Sequence, residues 1–374
     1  MKKLENPFLI KGYVSPEYFC DREKETEEII SAMKNGRDLI MYGRRKLGKS
    51  ALIKHVYHHM GRSTIGIWVD LLPSENFADF LSLTATAILN AYEEDTALHK
   101  KLWTGIKKLR PTISYDELSG TPNVSFDVSS QAAQTHTFTE LIRLLASSSK
   151  KVVLALDEFQ QIEAYPETNI EEYLRTLLQS LPNVTVIFAG SDQHMLLKMF
   201  SSVDRPFYDF AQYLKLGPIA SEAYVEFIGG HLQAAKKKMD RGLIYDLLEW
   251  CNHRTLNVQM MANRLYSSHK KTISAEDLTQ MKMTILSEKE DIYNTLKRLL
   301  SKGQWKVLKA IAREGKVYAP YGKDFMNKYG FTNSSTIRRV VQFCLNNGLL
   351  YQSQDGEESY FELDDIFMRR WVGS

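Results

Sequence analysis

The sequence predicts an α/β protein with a parallel five-stranded sheet, followed by a helical domain and a C-terminal winged helix. A glycine-rich loop lies between an apolar run and a helical pattern, and a second apolar run ends in two acidic residues. The C-terminal part of the chain changes to two helical patterns followed by a β-hairpin. Strands that alternate with helices favour a parallel sheet, and helices followed by a β wing favour a winged helix.

The glycine-rich loop fills every position of the G-x-x-x-x-G-K-[ST] pattern of phosphate-binding loops. Its two glycines allow a tight turn whose N–H groups point inward, and the helix that starts near Lys49 adds its positive dipole end. Lys49 would reach the β- and γ-phosphates of a nucleotide, and the Ser50 hydroxyl would be a ligand of Mg²⁺. The residues predicted to bind the nucleotide here are Gly43, Arg44, Arg45, Lys46, Leu47, Gly48, Lys49, Ser50 and Ala51.

The sequence on both sides of this loop favours a phosphate site over a strand-to-helix turn that matches by chance. Residues 38–42 form a short, mainly apolar run typical of a buried strand. Apolar residues recur at helical spacing downstream, at Leu52, Ile53, Val56, Tyr57 and Met60. A strand, a glycine-rich loop and a helix in this order are the context that the motif requires.

The second apolar run, residues 152–156, leads into Asp157 and Glu158. This pattern is typical of a parallel strand that delivers carboxylates to its C-terminal edge. Asp157 would hold Mg²⁺, directly or through water, and Glu158 would orient and deprotonate the attacking water. The alternative is a strand that simply ends in solvated acids, and the phosphate loop in the same chain favours the catalytic interpretation.

Five apolar strands are predicted between residues 38 and 219, at residues 38–42, 65–71, 152–156, 184–189 and 213–216. Parallel connections would place the phosphate loop and the two acids at the same edge of the sheet. Residues 110–128 interrupt this scheme, and Pro111, Gly120 and Pro122 suggest a small inserted hairpin without an assigned chemical role. The fourth strand ends at Ser191, which could sense the γ-phosphate or simply end a turn.

The rest of the chain predicts two further domains. Residues 221–287 read as helices with apolar stripes and suggest a helical lid, and a winged helix follows from about residue 301. The predicted boundaries are 1–219 for the α/β domain, 220–290 for the lid and 291–374 for the winged helix. A chain of 374 residues exceeds one typical core, which agrees with two or three domains.

The predicted winged helix has a polarised charge. Residues 297–345 carry eleven Lys or Arg against two Asp or Glu, whereas residues 351–365 carry six acids and no base. A helix with Ser334, Ser335, Thr336, Arg338 and Arg339 could enter a major groove and contact phosphates of DNA. The alternative is a packing module with a solvated basic face, which contacts protein instead.

Composition excludes several classes of protein. The net charge is only +3, which by itself implies neither nucleic acid nor an anionic membrane as a partner. The three cysteines are scattered and form no disulfide framework, and no apolar stretch approaches the roughly 20 residues of a membrane span. We therefore expect a soluble, cytoplasmic protein without a membrane partner. For His55, His58 and His59, a solvated helix face is favoured over a metal site.

Several segments together resemble the ATPases of the AAA+/STAND-like group, first described in Archaea and abundant in Bacteroides-type bacteria. The resemblance covers nearly the whole chain and rests on residues 6–8, 12–19, 21–25, 157–162, 188–191 and 205–208, besides the phosphate loop. The chain departs from the family in two places. Many relatives carry a Gly-x-Pro element in the lid, whereas residues 251–259 here read CNHRTLNVQ. Many relatives also carry a second arginine after the region of Arg205, whereas Asp209 lies in that neighbourhood here.

The resemblance implies roles for three more residues. The N-terminal segment that contains Arg22 would lie near the adenine, and Ser191 would occupy the sensor position. Arg205 would stabilise charge on the γ-phosphate, in its own subunit or from a neighbouring one, as an arginine finger does. The alternative for Arg205 is an ion pair that anchors a loop, for instance to Asp204 or Asp209.

These observations predict a P-loop ATPase that binds ATP with Mg²⁺ and hydrolyses it slowly or only when stimulated. ATP is expected over GTP because no Asn-Lys-x-Asp segment for guanine is present. Two alternatives stay open: a nucleotide-dependent switch with little turnover, and an ATP-regulated DNA-binding protein. A homo-oligomer and a DNA or protein partner of the winged helix are compatible with each of them.

Overall fold

The computed structural model describes residues 4–61, 63–91, 97–115, 121–128, 130–355 and 358–373. The chain divides into two compact units, Met1–Tyr224 with Arg254–Gln259, and Val225–His253 with Met260–Ser374. The predicted division into three domains at residues 219 and 290 stays a prediction.

The first unit contains a five-stranded parallel sheet, as predicted. Its order is β2-β5-β6-β1-β7, and each neighbouring pair is parallel. The strands of this unit are β1 (Leu39–Tyr42), β2 (Thr64–Asp70), β3 (Thr112–Tyr115), β4 (Pro122–Ser125), β5 (Lys151–Asp157), β6 (Val184–Gly190) and β7 (Gln212–Lys215). The five predicted strands are confirmed, with ends that differ by one residue at most.

Helices lie between these strands and cover the sheet. They are α1 (Glu23–Lys34), α2 (Lys49–His59), α3 (Phe77–Asn90), α4 (Ala97–Lys108), α5 (Gln131–Ala146), α6 (Ile170–Gln179) and α7 (Gln193–Ser201), with 3₁₀ helices at Pro16–Tyr18 and Phe159–Ala164. Residues of β5 alternate between two apolar clusters: Val153 belongs to one, and Val152 and Leu154 belong to the other. The sheet is therefore buried on both faces, as parallel sheets are.

The predicted inserted hairpin is confirmed in the part of the insertion that the structure describes. Strands β3 and β4 pair antiparallel, with Thr112 opposite Ser125. The hairpin packs on α3, where the Val124 N–H donates to Thr86 Oγ1 at 2.9 Å. Residues 116–120 lie outside the described residues.

The histidines of α2 differ from the expectation of one solvated face. His58 and His59 are exposed, but His55 is only 8% exposed. Its ring stacks on Phe19 with centroids 4.1 Å apart, and Nδ1 lies 3.1 Å from the Tyr13 hydroxyl. The expectation was wrong for His55 because the N-terminal segment packs over this part of α2, which helical spacing alone does not show.

The second unit is mainly helical and ends in a winged helix. The remaining elements of the chain are α8 (Ser221–Ala234), β8 (Lys238–Met239), α9 (Arg241–Trp250), α10 (Thr255–Ser267), β9 (Thr272–Ile273), α11 (Ala275–Leu299), α12 (Lys302–Glu314), α13 (Lys323–Tyr329), α14 (Ser334–Asn346), β10 (Leu350–Asp355), β11 (Glu358–Leu363) and α15 (Ile366–Gly373). Strands β10 and β11 form an antiparallel wing, to which Val317 adds a bridge at Phe361. The two predicted helices and the wing are confirmed.

Candidate nucleotide-binding site

The phosphate loop connects β1 to α2 in the first unit. Gly48 lies in the left-handed region at φ 92°, just before Lys49 starts the helix, and Lys46 also has positive φ, at 69°. A Cβ atom at Gly43 would lie 2.7 Å from the Leu216 carbonyl oxygen of the segment after β7. Both glycines are thus required for physical reasons, one by backbone conformation and one by close approach of another chain segment.

Donors outside the loop hold three successive loop carbonyl groups. Arg254 Nη1 donates to the Arg45 oxygen at 3.1 Å, the Leu256 N–H donates to the Lys46 oxygen at 3.0 Å, and Thr255 Oγ1 donates to the Leu47 oxygen at 3.1 Å. Because C=O and N–H of a trans peptide unit point in opposite directions, these contacts turn the following N–H groups away from residues 254–256. The three bonds therefore hold the backbone of residues 45–47 in place. Successive loop amides that are held in this way can bind an anion.

Arg22 contributes to the same scaffold. Its side chain is buried, and Nη2 donates to the carbonyl groups of Gly217 at 2.7 Å and Leu47 at 3.4 Å, while Nη1 pairs with Glu25 at 2.7 Å. The structure therefore places Arg22 between the phosphate loop, at Leu47, and the segment after β7, at Gly217. A contact of Arg22 with adenine stays a prediction.

Lys49 is the first residue of α2 and is 6% exposed. Its ammonium group donates to the carbonyl oxygens of Gly43 at 2.9 Å and Arg44 at 3.3 Å. The cation is thus held over the loop by the loop's own backbone. It lies where the negative charge of a bound polyphosphate would need compensation.

Ser50 and Asp157 meet although 107 residues separate them. Ser50 Oγ donates to Asp157 Oδ2 at 2.5 Å, and the Trp68 indole Nε1 donates to the same oxygen at 3.3 Å. Trp68 lies on β2, which pairs with β5 so that Asp70 is opposite Asp157. Two hard oxygen ligands and an aromatic donor therefore converge at the C-terminal edge of the sheet.

The environment of Asp157 disfavours its charged form. Burial raises the pKa of this carboxyl, and the neighbouring Glu158 raises it further, while the hydrogen bond from Ser50 and the charge of Lys49 act in the opposite direction. A divalent cation beside Asp157 would remove most of this electrostatic cost. The residues present therefore fit a Mg²⁺ ion, which prefers one or two carboxylates together with hydroxyl, water and phosphate oxygens.

Glu158 is the next residue and has a left-handed backbone conformation, at φ 55° and ψ 40°. Its Oε2 accepts hydrogen bonds from Ser191 Oγ at 2.8 Å, from the Ser191 N–H at 3.2 Å and from Gln160 Nε2 at 2.5 Å. Arg45 Nε in turn donates to Ser191 Oγ at 3.2 Å. The structure thus connects the phosphate loop to Glu158 through Ser191.

A cavity of about 480 Å³ lies over this group of residues. The part relevant to phosphate binding is lined by Arg45, Lys46, Gly48, Lys49, Ser50, Ala51, Glu158 and Ser191. The remainder is lined by residues 9–12, Lys54, Leu72, Thr255, Leu256 and Gln259. Most of the residues predicted from the motif therefore share one cavity, and their individual roles stay predictions.

Arg205 is engaged elsewhere. Its guanidinium contacts both Glu163 and Glu171, with Nη1 3.1 Å from Glu163 Oε1 and Nε 3.2 Å from Glu171 Oε2. It does not line the cavity over the phosphate loop. The ion-pair alternative is present, but with partners other than the expected Asp204 and Asp209.

Sequence reasoning missed Trp68, Gln160 and Arg254. Trp68 stood in a predicted strand and Gln160 in a segment that carries the family resemblance, so both were visible without a reason to choose them. Arg254 lies in the segment that departs from the family pattern. Its bond to the loop carbonyl of Arg45 depends on folding that spans more than 200 residues of chain.

The parallel sheet, the phosphate loop and the two acids at its C-terminal edge define a P-loop ATPase domain. The chain belongs to the family described as "ATPase domain predominantly from Archaea", whose model matches residues 19–249. A second model, described as "Probable winged helix domain", matches residues 291–374. No curated protein matches the sequence significantly.

Solved structures with the same fold include archaeal proteins. The Walker-type ATPase Paby2304 of Pyrococcus abyssi has a TM-score of 0.68 at 15% identity, covering 98% of this chain and 99% of that one. The ORC2 protein of Aeropyrum pernix, in its ADPNP-ADP complexes, has a TM-score of 0.59 at 14% identity, covering 98% and 96%. The ORC1 protein of Aeropyrum pernix in complex with DNA has a TM-score of 0.52 at 12% identity, covering 99% and 96%. At these identities the likeness shows a shared fold.

Within the part of the chain that the structure describes, none of the helices combines the length and the apolar character needed to cross a lipid bilayer.

Proposed function

We propose that this protein binds ATP with Mg²⁺ and hydrolyses it, slowly or when stimulated. The observation that carries the proposal is the 2.5 Å contact between Ser50 Oγ of the phosphate loop and Asp157 Oδ2 at the end of β5. Two segments that are distant in sequence bring their oxygen ligands together beside Lys49. A strand that ended in solvated acids would have no reason to bury Asp157 to 3% exposure at this point.

Each residue of the group has a proposed task. The loop amides and Lys49 bind the phosphates, and Ser50 and Asp157 hold the metal ion. When bound, Mg²⁺ neutralises charge on the phosphate oxygens. Glu158 orients a water molecule for in-line attack and takes its proton. Ser191 contacts the terminal phosphate, and Arg45 donates a hydrogen bond to the Ser191 hydroxyl.

The test is phosphate release by the wild-type protein and by Glu158→Gln. We expect Glu158→Gln to bind ATP within about twofold of wild type and to lose roughly 10²-fold or more of the turnover, as loss of a general base does. The matched control is Glu140→Gln on α5, which makes the same change of carboxylate to carboxamide at a half-buried residue that pairs with Arg143. Unchanged phosphate release in Glu158→Gln would remove the general-base assignment.

The finer classification follows the resemblance. We propose an AAA+/STAND-like ATPase of the cytoplasm, in which nucleotide state governs the arrangement of the lid and the winged helix. If Arg205 acts as an arginine finger, in its own subunit or in an oligomer, it must first leave Glu163 and Glu171. A switch with little turnover is the rival, and a partner that stimulates multiple turnovers would count against it.

The winged helix supports DNA binding as a second function. On α14, Ser334, Ser335, Thr336, Arg338 and Arg339 are exposed. The opposite face of α14 buries Ile337, Val340, Val341 and Cys344. The likeness to the ORC1 protein in complex with DNA agrees with this proposal. Fluorescence anisotropy with a DNA duplex at two salt concentrations tests it, since phosphate contacts predict affinity that falls with salt. Absence of binding at low salt would leave a protein contact as the function of this helix.

A further inference from the structure

We infer that Gln160 is a positioning residue, which anchors one oxygen of Glu158 so that the other oxygen can take a proton from water. The inference rests on the proposed ATPase function and deepens it. It is carried by the hydrogen bond from Gln160 Nε2 to Glu158 Oε2 and by the close contact of Gln160 with Gly190.

The contacts to the Glu158 carboxylate are one-sided. All the hydrogen bonds that described residues make to it reach Oε2: two come from Ser191 and one from Gln160. Oε1 accepts none from the described part of the chain, and Glu158 lines the cavity together with Lys49 and Ser50. A carboxylate held through one oxygen presents the other in a fixed direction, and fixed direction is what a general base needs.

The backbone of Glu158 requires such an anchor. A non-glycine residue at φ 55° costs free energy and persists where its surroundings hold it, often at functional sites. Glu158 N–H donates to Asp157 Oδ1 at 3.1 Å, which fixes the main chain but not the carboxylate. Gln160 and Ser191 complete the support at the end of the side chain.

Gln160 is itself held in one position. Its side chain is 5% exposed and belongs to the 3₁₀ helix that follows Glu158. A Cβ atom at Gly190 would lie only 2.2 Å from Gln160 Oε1 and 3.2 Å from Leu196 Cδ2. The absence of a side chain at Gly190, on the adjacent strand β6, therefore provides the space that the Gln160 amide occupies.

The orientation of the amide follows from charge. Turning the group over would place its carbonyl oxygen against the Glu158 carboxylate, which is repulsive, so the NH₂ group faces Glu158. Gln160 Oε1 is then buried without a hydrogen-bond donor among the described residues. A buried acceptor left unsatisfied costs free energy, which suggests that the amide is placed for the bond made by its nitrogen.

The inference predicts a change in turnover without a change in nucleotide binding. Gln160→Met keeps the length of the side chain and removes the donor. We expect kcat to fall about tenfold or more, because the base is no longer aimed, while the Kd for ATP stays within about twofold. Gly190→Ala should lower kcat in the same way and leave the Kd for ATP unchanged, since its methyl group would displace the Gln160 amide.

The decisive experiment combines these changes with Glu158→Gln. If Gln160 acts only through Glu158, Gln160→Met and Gly190→Ala should leave the residual rate of Glu158→Gln unchanged. The control is Gln161→Met, because the neighbouring Gln161 amide bonds to the Leu72 carbonyl at 3.1 Å and should not affect turnover. Thermal unfolding and ATP binding of every variant show whether it is folded.

The outcomes separate this inference from the proposed function. Wild-type kcat in Gln160→Met, or an equal loss of rate with and without the Glu158 carboxylate, would overturn the role of Gln160 and leave the ATPase proposal standing. If Gln160→Met unfolds at a lower temperature and no longer binds ATP, Gln160 has a structural role only, and the inference is overturned. Absence of turnover in the wild-type protein would overturn both.

Discussion

The phosphate loop and the basic face of α14 are both rich in positive charge, yet they differ in how their polar groups are held. At the loop, Lys49 and Asp157 are buried and Ser50 is half-buried. Lys49 is held by the loop's own carbonyl groups, and Ser50 contacts Asp157 of a distant segment. On α14, Arg338 and Arg339 are exposed and adjacent in sequence. Burial has a cost that only a ligand or a partner group offsets, so the loop indicates specific chemistry. Exposed charge indicates only the sign of the partner's charge.

The largest expected effect is at the loop. Lys49→Ala should raise the Kd for ATP by about 100-fold or more, because the buried cation that spans the Gly43 and Arg44 carbonyls is lost. Isothermal titration calorimetry measures this directly. Lys24→Ala, an exposed lysine on α1, should bind as wild type. Equal affinities of wild type and Lys49→Ala for ATP would show that Lys49 does not bind the phosphates.

The effect at α14 should be smaller and should depend on salt. If α14 contacts DNA, replacing Arg338 and Arg339 by alanine should weaken binding about tenfold and lower the salt dependence by about two phosphate contacts. Arg338 stacks on the Tyr321 ring at 4.8 Å, so Arg338→Ala also removes a local contact, and Arg339→Ala is the cleaner variant. Anisotropy titrations over a salt series measure both quantities. A loss that does not vary with salt would argue against phosphate contacts.

A third expected effect concerns Arg205, whose charge is enclosed by two acids. Arg205→Ala should lower the free energy of unfolding by about 1–3 kcal/mol, because it leaves Glu163 and Glu171 close together, partly buried and unpaired. Burial already raises the pKa of Glu171, and Arg205 opposes that shift. Denaturant unfolding without nucleotide measures this change in the free energy of unfolding. Replacing both acids by glutamine together with Arg205→Ala should restore part of the loss. A variant of wild-type stability that turns over more slowly only at high protein concentration would instead favour an arginine finger between subunits.

The smallest expected effect is the pH response of His55. Burial, and secondarily the neighbouring His59 and His58, lower the pKa of His55 to about 4. Its folded pKa lies below the unfolded value near 6.5, so the unfolded state binds more protons and stability falls as the pH drops from about 6.5 towards 4.

The unfolding free energy of the wild-type protein should fall between pH 7.5 and pH 5, and His55 should account for about 1–2 kcal/mol of that fall. In His55→Phe, which keeps an aromatic ring stacked on Phe19, the fall should be smaller by this amount. His194→Gln, an exposed histidine, should behave as wild type. Parallel pH profiles for wild type and His55→Phe would show that His55 does not titrate in this way.

The same contrast explains how far the sequence predicts the molecule. The loop and the acids could be predicted because a local pattern at Gly43 to Ser50 and an apolar run before Asp157 each carry a physical meaning, and a parallel sheet brings strand ends together. The winged-helix elements could be predicted from helical and alternating periodicity. Trp68 beside Asp157, the loop carbonyl held by Arg254 and the acids around Arg205 could not, because they depend on register and packing between distant segments. The buried position of His55 was missed for the same reason.

The most direct test of the central claim is calorimetric titration of the wild-type protein with ATP, with and without magnesium. If the loop amides and Lys49 hold the phosphates while Ser50 and Asp157 hold the metal ion, titration with ATP and magnesium together should give saturable heat. Asp157→Asn should weaken ATP binding only when magnesium is present. Absence of binding heat with ATP and magnesium in the wild-type protein would contradict the account.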